Sequence, residues 1–250
     1  MNPDKYYERR GALTELLKKT PFQFQFMSIN DDVDLAPNAI AKSHDIKKTV
    51  DSLGRDLSRG ELASTLNHLL AYRKFLDSEN DIAIILEDDA DFVVDKFNCV
   101  ISLLINIINE NKPQVYLLTP VISYLNDNSQ RLNADYKVVE VVQSLDSSGY
   151  ILNREAAEKM ISANSKAWFI ADEWVKYKRY ANVNIFSVIP PIIIQNIGVF
   201  GSNLANSRAK TVKSRTVKYV LSRLSFKIIA DLKKYLWLMP FKEYVRNKDV

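Results

Sequence analysis

Four acidic residues fall within five positions in the segment Glu87-Asp88-Asp89-Ala90-Asp91. This segment follows the apolar run from Ile82 to Leu86, whose β-branched residues predict a strand buried on both faces, typical of a parallel sheet. Carboxylates this close together repel one another unless a cation neutralises them. The segment therefore predicts a site for a divalent metal ion at the carboxyl end of a strand.

The ligand type narrows the choice of metal and of bound molecule. Oxygen-only ligands favour Mg²⁺ or Mn²⁺, hard cations that keep several waters and commonly bridge to substrate phosphates. The chain has only 6 glycines, and it contains neither a Gly-Lys-Ser/Thr phosphate loop nor a Gly-x-Gly-x-x-Gly motif, which argues against P-loop ATPases and typical dinucleotide-binding proteins. A nucleotide held through a metal ion is the remaining prediction, and a solvated turn with helix-capping aspartates is the alternative.

Alternating helices and strands are predicted around the acidic segment. Ser58 and Glu61 have capping-box spacing, and they open a helix whose leucines lie on one side. Other predicted helices are 7–19, 95–109 with Asp95 as its cap, 154–163 and 171–180, and other predicted strands are 22–29, 115–119, 136–145, 149–152 and 183–194, the last interrupted by Pro190-Pro191. The alternation predicts an α/β layered fold, in which ligands bind at the carboxyl ends of the strands.

Composition and charge divide the chain into an acidic body and a basic tail. The 250 residues are 47% apolar, enough for a large core, and the single cysteine, Cys99, excludes a disulfide framework within the chain and cysteine-rich zinc sites. Residues 206–250 contain 12 lysines and arginines against 3 acidic residues, whereas residues 1–205 contain 22 against 27. Apolar residues recur at helical spacing in this tail, which suits an anionic membrane surface. A helix packed on the main domain fits equally well, and nucleic acid is disfavoured because no recognition motif accompanies the tail.

Several blocks resemble glycosyltransferase family 25, the lipooligosaccharide galactosyltransferase group. The matching blocks are Arg9-Arg10, Leu57 to Leu62, Leu66 to Leu69, Ile84 to Ala90, Gly149 to Leu152, Ala156 to Lys159, Pro191 to Gln195 and Ser202. The resemblance covers roughly residues 5–205 and implies a GT-A type, Rossmann-like sheet with flanking helices over 1–205, which leaves 206–250 as a basic amphipathic helical extension. Only Met1 to Glu8 precede Arg9-Arg10, so the first strand of the family's sheet is expected to be shortened or absent.

The resemblance also implies an activity and a location. It implies transfer of a hexose, usually galactose from UDP-galactose, to a bacterial lipooligosaccharide or related surface glycan. We accordingly expect a cytoplasmic protein that lies peripherally on the inner face of the bacterial inner membrane. A metal-dependent phosphoryl hydrolase is the alternative enzyme, and a non-catalytic protein that binds membranes or nucleic acid is the alternative outside enzymes.

The acidic segment and the resemblance together suggest roles for individual residues. Asp89 is the candidate direct ligand of Mn²⁺ or Mg²⁺, and Asp91 is either a second ligand or a cap for the following turn. Glu87 and Asp88 would hold ribose, base or metal-bound water. The pair Arg9-Arg10 would contact phosphate, or else belong to a solvated helical turn.

A carboxylate is also expected to take the proton of the acceptor hydroxyl if the reaction inverts configuration. Asp172 and Glu173 are the candidates, beside Trp168 and Trp174, which either stack on a sugar or belong to the core. His68 either faces a ligand or is a hydrogen-bonded core residue.

Overall fold

The computed structural model describes residues 3–29, 36–196, 219–221, 224, 228, 232 and 243–247. Its strands are β1 (Ile82–Leu86), β2 (Ala90–Phe92), β3 (Gln114–Leu117), β4 (Ser123–Arg131), β5 (Lys137–Gln143), β6 (Gly149–Asn153), β7 (Asn184–Ile189), β8 (Ile193–Gln195) and β9 (Tyr244–Arg246). Its helices are α1 (Pro3–Leu17), α2 (Pro37–Ser43), α3 (Ile46–Leu53), α4 (Arg59–Leu76), α5 (Val94–Ile105), α6 (Arg154–Ala163) and α7 (Trp174–Lys176), which continues as a π-helical turn over Tyr177–Ala181.

The strands form a seven-stranded sheet of order β1-β6-β3-β7-β5-β4-β9 and a small sheet that joins β2 to β8. Among the described pairs, β3 and β7 run parallel and the others are antiparallel. The fold is therefore mixed α/β, as the sequence predicts. The parallel setting expected for Ile82–Leu86 is wrong, because β1 pairs antiparallel with β6 at the edge of the sheet.

Helices on both faces of the sheet explain why β1 is apolar throughout. Side chains of a strand alternate between faces. Ala83 and Ile85 pack on a core cluster built with α4 and α6, and Ile82 and Ile84 pack on a second cluster built with α1 and α5. All five residues of β1 are only half-buried, which fits its position at the edge.

The capping box predicted at Ser58 fixes the start of α4. The Ser58 hydroxyl accepts a hydrogen bond from the Glu61 amide, and the Glu61 carboxylate accepts one of 2.9 Å from the Ser58 amide. Arg55 adds two hydrogen bonds, of 2.7 and 2.8 Å, to the same buried carboxylate. This end of the helix is therefore held firmly, and α4 carries His68 toward the acidic segment.

Three predictions of local structure are wrong. Residues 22–29 form no strand, because the Ile29 amide donates to the Asn67 side chain (2.7 Å) and Phe24 is exposed while Phe22 and Phe26 pack against the core. Residues 171–180 form α7 and the π-helical turn in place of one α-helix. Asp95 lies in the first turn of α5 and does not cap it, since the cap position is occupied by Val93.

The basic tail lies mostly outside the described residues. Within it, Tyr219, Val220, Leu221, Leu224, Ile228 and Leu232 are helical, and β9 pairs with β4. No helix among the residues that the structure describes is long and apolar enough to cross a membrane.

Candidate active site

The acidic segment forms the connection between β1 and β2. The Glu87 amide donates to the carbonyl of Ser148, and the Asn196 amide donates to the carbonyl of Asp89, each at 2.9 Å. The segment is thus held between the residues that precede β6 and the residue that follows β8. A cleft of about 260 Å³ opens beside it, lined by Arg9, Ala12, Leu13, Leu16, Asp88, Asp89, Ala90, Asp91 and Asn196.

The two predicted phosphate-binding arginines point to different places. Arg9 is buried and reaches the acidic segment, with its Nη1 3.4 Å from Asp88 Oδ1 and 3.9 Å from Asp89 Oδ2. Arg10 is exposed, and its guanidinium stacks 4.2 Å from the centre of the Phe26 ring. Successive residues of a helix point about 100° apart, so the structure brings Arg9 but not Arg10 into the cleft.

Asp89 is the carboxylate of the acidic segment whose surroundings most favour a bound cation. Its Oδ1 is buried and has no hydrogen-bond partner among the described residues. Burial, together with the charges of Glu87, Asp88 and Asp146, raises the pKa of Asp89 to about 6, although the Arg9 guanidinium opposes this rise. One guanidinium does not balance these four carboxylates, so the site favours a further positive charge.

The carboxylate oxygens beside the cleft fit a hard divalent cation whose remaining coordination positions would be filled by water and by a bound molecule. Asp89 and Asp91, the two predicted ligands, both line the cleft, as does Asp88. No group of three or more His, Cys, Asp or Glu side chains in the described part of the chain is arranged to hold a metal by itself. Mg²⁺ and Mn²⁺ commonly take only one or two carboxylates and fill their remaining positions with water and phosphate oxygens. The carboxylates present are therefore sufficient for a metal that binds together with a diphosphate.

Glu87 belongs to a buried hydrogen-bonded chain. Its Oε1 contacts His68 Nε2 at 3.2 Å and accepts a 2.6 Å bond from the Ser147 hydroxyl. His68 Nδ1 contacts the Tyr150 hydroxyl at 2.7 Å, and that hydroxyl contacts the Tyr72 hydroxyl at 2.5 Å. Burial raises the pKa of Glu87, but the bonds from His68 and Ser147 outweigh it and leave the pKa below its ordinary value. Glu87 is thus held as an ionised acceptor.

Asp146 is a site residue that the sequence analysis misses. Its Oδ1 accepts hydrogen bonds from the amide (2.8 Å) and hydroxyl (2.6 Å) of Ser148, and its carbonyl accepts one from the Trp174 indole (2.7 Å). Burial raises the pKa of Asp146, as does the charge of Glu87. The charge of Asp146 in turn raises the pKa of Asp89, so the loop before β6 adds a fourth carboxylate to the cluster.

Antiparallel pairing explains why Asp146 reaches the acidic segment. Leu86, the last residue of β1, lies opposite Gly149, the first residue of β6, so the residues before β6 face those after β1. The only sequence signal is the spacing of Asp146 and Ser148, which is typical of a side-chain turn in any loop.

The two predicted base residues lie in a different setting. Glu173 Oε2 is 3.3 Å from Lys176 Nζ, and its charge also acts on Arg55. Asp172 immediately precedes it and is half-buried. Neither residue lines the 260 Å³ cleft. The structure therefore does not bring Asp172 and Glu173 into the wall that Asp88, Asp89 and Asp91 share.

The two tryptophans near these residues belong to the core. Trp174 is fully buried and packs edge-to-face on Tyr150, with ring centres 5.0 Å apart. Trp168 is 4% exposed, and Lys48 Nζ lies 3.9 Å from the centre of its ring. Trp174 still matters for the site, because its indole fixes the carbonyl of Asp146.

Comparison with known families identifies the class of protein that this fold and site define. The model of glycosyltransferase family 25 (LPS biosynthesis protein) matches residues 2–175, a range that contains α1, the acidic segment and β6. The chain belongs to this family, which confirms the resemblance. It is a glycosyltransferase of lipopolysaccharide biosynthesis, which implies a nucleotide-sugar donor and a glycan acceptor. No curated protein matches the chain.

Proposed function

We propose that the chain transfers a hexose, with galactose as the first candidate, from a UDP-sugar to a lipooligosaccharide or related surface glycan, through a GT-A type site. The observation that carries the proposal is the buried, unpartnered Oδ1 of Asp89 inside a cluster of carboxylates. Family membership indicates the reaction class. The unpaired oxygen of Asp89 indicates where a cation would bind and neutralise the negative charge of the donor's diphosphate.

Asp89 and Asp91 would hold Mn²⁺ or Mg²⁺, with Asp88 close by in the same cleft. When bound, the metal would neutralise the diphosphate of the donor and stabilise the departing UDP. Arg9 orients Asp88 and Asp89 and contributes a fixed positive charge to the same region. The cleft of about 260 Å³ falls below the roughly 300–1,000 Å³ of typical ligand pockets, so it suits the diphosphate portion of the donor.

The reaction breaks the bond between the anomeric carbon and the UDP oxygen, forms a bond to the acceptor oxygen, and releases the acceptor proton to a base. Asp172 and Glu173 remain our candidates for that base. Asp146 joins them because its carboxylate is coupled electrostatically to Glu87 and Asp89. A base must lie within hydrogen-bond reach of the acceptor hydroxyl. Each candidate can be tested by substitution with its amide, because only the variant at the base should lose transfer to the acceptor.

Release of UDP from a panel of UDP-sugars tests the proposal directly. The wild-type protein should release UDP from UDP-galactose in Mn²⁺ and lose this activity in EDTA. Asp89→Asn should lower kcat/KM at least about 100-fold, as expected for loss of a direct metal ligand. The matched control is Asp95→Asn, an exposed aspartate on α5 outside the cleft. Equal activity of wild type and Asp89→Asn would contradict the proposal.

We assign the tail to an anionic membrane surface, where a glycolipid acceptor is found. Five of its apolar side chains are helical and 48–59% exposed, namely Val220, Leu221, Leu224, Ile228 and Leu232. Four of them recur every four residues, a spacing that puts residues on one face of an α-helix. Arg223, Lys227, Lys233 and Lys234 are interspersed with a single acidic residue, Asp231. Apolar residues flanked by cations are the combination that binds anionic lipid.

Vesicle sedimentation tests this assignment separately from catalysis. The protein should sediment with phosphatidylcholine vesicles that contain phosphatidylglycerol, and high salt should release it. Leu224→Glu with Ile228→Glu should abolish sedimentation, whereas Ile105→Glu, at an exposed apolar residue of α5, should not. Sedimentation that is absent, or that survives both high salt and the double substitution, would contradict the assignment.

A further inference from the structure

We propose that His68 is a positioning residue for Glu87, and that the chain Tyr72–Tyr150–His68 fixes Glu87 so that its second oxygen accepts a hydrogen bond from a hydroxyl of the sugar donor. The proposal rests on the proposed function, since it names what Glu87 contacts in the bound state. Its evidence is the set of contacts that runs from the core under α4 to the acidic segment.

The four groups come from three different elements. Tyr72 and His68 lie one helical turn apart on α4, Tyr150 lies on β6, and Glu87 follows β1. His68 is 5% exposed, and both tyrosines are fully buried. The His68 and Tyr150 rings are nearly parallel, with centres 5.8 Å apart and an interplanar angle of 20°. The imidazole therefore has one orientation, set by packing as well as by hydrogen bonds.

The partners assign the proton positions along the chain. Glu87 Oε1 already accepts a hydrogen bond from the Ser147 hydroxyl, and in our assignment His68 donates a second one to it through Nε2. With its proton on Nε2, the imidazole accepts at Nδ1, where the Tyr150 hydroxyl donates. Tyr72 in turn donates to the Tyr150 oxygen, so each group in the chain donates once toward Glu87. In functional histidines, the hydrogen bond made by one ring nitrogen commonly determines whether the other nitrogen carries the proton.

The chain ends in the core and therefore orients a group without carrying protons to solvent. Tyr72 has no exposed surface, and its hydroxyl contacts only Tyr150 among the described residues. At the other end, His68 and Ser147 both contact Glu87 Oε1. Among the described residues no hydrogen bond reaches Oε2 of Glu87, whose side chain is 26% exposed and which directly precedes the cleft residue Asp88 in the chain. Oε2 is thus the oxygen left to accept a hydrogen bond from a hydroxyl of the donor.

Nitrogen NMR of the histidines tests the proton positions without any activity measurement. The chain has only two histidines, and His68→Gln assigns the signals. His68 should show the Nε2–H tautomer near neutral pH, and Tyr150→Phe should shift its Nδ1 signal. His44, whose ring contacts Thr49 and Asp56, serves as the internal reference that Tyr150→Phe leaves unchanged. An Nδ1–H tautomer at His68, or no response to Tyr150→Phe, would overturn the proposal.

Kinetics of UDP release test whether His68 acts through Glu87. His68→Ala should lower kcat/KM for UDP-galactose about 10- to 100-fold, as removal of residues that orient a ligand-binding group does. His68→Gln keeps a donor near the position of Nε2 and should retain more activity than the alanine variant. Tyr150→Phe should cost about 2- to 10-fold, in line with the loss of one hydrogen bond. Tyr177→Phe, at another fully buried tyrosine outside the chain, should leave the rate unchanged.

A double-mutant cycle gives the decisive comparison. If His68 works through Glu87, the loss caused by His68→Ala should nearly vanish in a Glu87→Gln background, because coupled residues are not additive. Fully additive losses would show that His68 only supports the fold and would overturn the proposal. A wild-type protein that neither binds UDP nor releases it from any UDP-sugar defeats the proposed function, and with it the assigned donor hydroxyl, while the NMR result still decides the tautomer.

Discussion

Arg9 Nη1 lies 3.9 Å from Asp89 Oδ2, so helix α1 places a buried guanidinium beside the carboxylate whose other oxygen has no partner among the described residues. This single positive charge does not balance the carboxylates around it. Arg9 acts on both Asp88 and Asp89, while Glu87 and Asp146 add further negative charge. Repulsion among these carboxylates in the free protein is therefore the physical reason for our proposal that a cation binds there together with the diphosphate of a donor. Ligand sites often store destabilisation of this kind.

Replacement of Asp89 by asparagine should stabilise the ligand-free protein. Because its pKa rises from 3.8 to about 6, the folded state pays to ionise Asp89, and a shift of this size corresponds to at most about 3 kcal/mol. Asp89→Asn removes the charge at nearly constant volume, so we expect an increase of about 1–3 kcal/mol in the free energy of unfolding, measured in urea at neutral pH without divalent ions. The control Asp95→Asn should change it by less than about 0.5 kcal/mol. A less stable Asp89→Asn protein would contradict the strain assigned to this carboxylate.

The raised pKa of Asp89 also predicts how the stability difference between Asp89→Asn and wild type depends on pH. A carboxylate with a raised pKa in the folded state costs nothing below its unfolded pKa, near 4, and its full cost is present above about pH 6. The stability gain of Asp89→Asn over wild type should therefore grow from about pH 4 to about pH 6 and then level off. Urea unfolding of both proteins across this range measures the difference. A gain that is constant, or that shrinks with rising pH, would show that charge is not its source.

Replacement of Arg9 by glutamine should destabilise the protein and increase its response to metal. Arg9 is 6% exposed and opposes the raised pKa values of both Asp88 and Asp89, so its loss leaves their repulsion uncompensated. We expect a loss of about 1–3 kcal/mol, together with a larger Mn²⁺-induced rise in Tm than in wild type. Arg10→Gln, at the exposed neighbour that stacks on Phe26, should cost about 1 kcal/mol or less. Equal effects of the two substitutions would argue against a special role for Arg9.

The ion pair between Arg55 and Glu61 should carry much of the stability of the α4 start. Glu61 is fully buried and takes two hydrogen bonds from Arg55 and one from the Ser58 amide. Glu61→Gln removes the buried carboxylate that the guanidinium hydrogen-bonds, and we expect a loss of about 2–4 kcal/mol in thermal or urea unfolding. Glu155→Gln breaks an exposed pair with Lys159 on α6 and should cost about 0.5 kcal/mol or less. Similar losses at the two sites would show that burial is not decisive.

Sequence patterns predict the elements whose signals are local. The bounds of β1 and α6 coincide with the predicted ranges, because an apolar run before acidic residues and a helix opened by Asn153 can each be recognised without distant residues. Strand β4 escapes prediction because its last six residues, Asn126 to Arg131, are polar, and all of them after the half-buried Asn126 are exposed. Pairing direction also escapes, since an apolar strand covered on both faces has the same composition in parallel and antiparallel sheets.

The residues of the site also divide into those with a local sequence signal and those brought there by distant contacts. Asp88, Asp89 and Asp91 are found from their crowding in the chain, and they share one cleft with Arg9. Asp146 cannot be found in this way, because only the register of β1 against β6 brings its loop to the acidic segment. The placement of Asp172 and Glu173 likewise depends on α7, whose contacts with Arg55 and Lys176 no local pattern reveals.

Calorimetric titration of UDP into the protein, with Mn²⁺ and with EDTA, tests the central claim most directly. We expect binding to wild type in Mn²⁺, at least about tenfold weaker binding in EDTA, and loss of that difference in Asp89→Asn, because the metal would join this carboxylate to the diphosphate. Asp95→Asn should behave as wild type. UDP binding of equal strength in Mn²⁺ and EDTA, or metal-dependent binding that survives in Asp89→Asn, would contradict a metal site at Asp89.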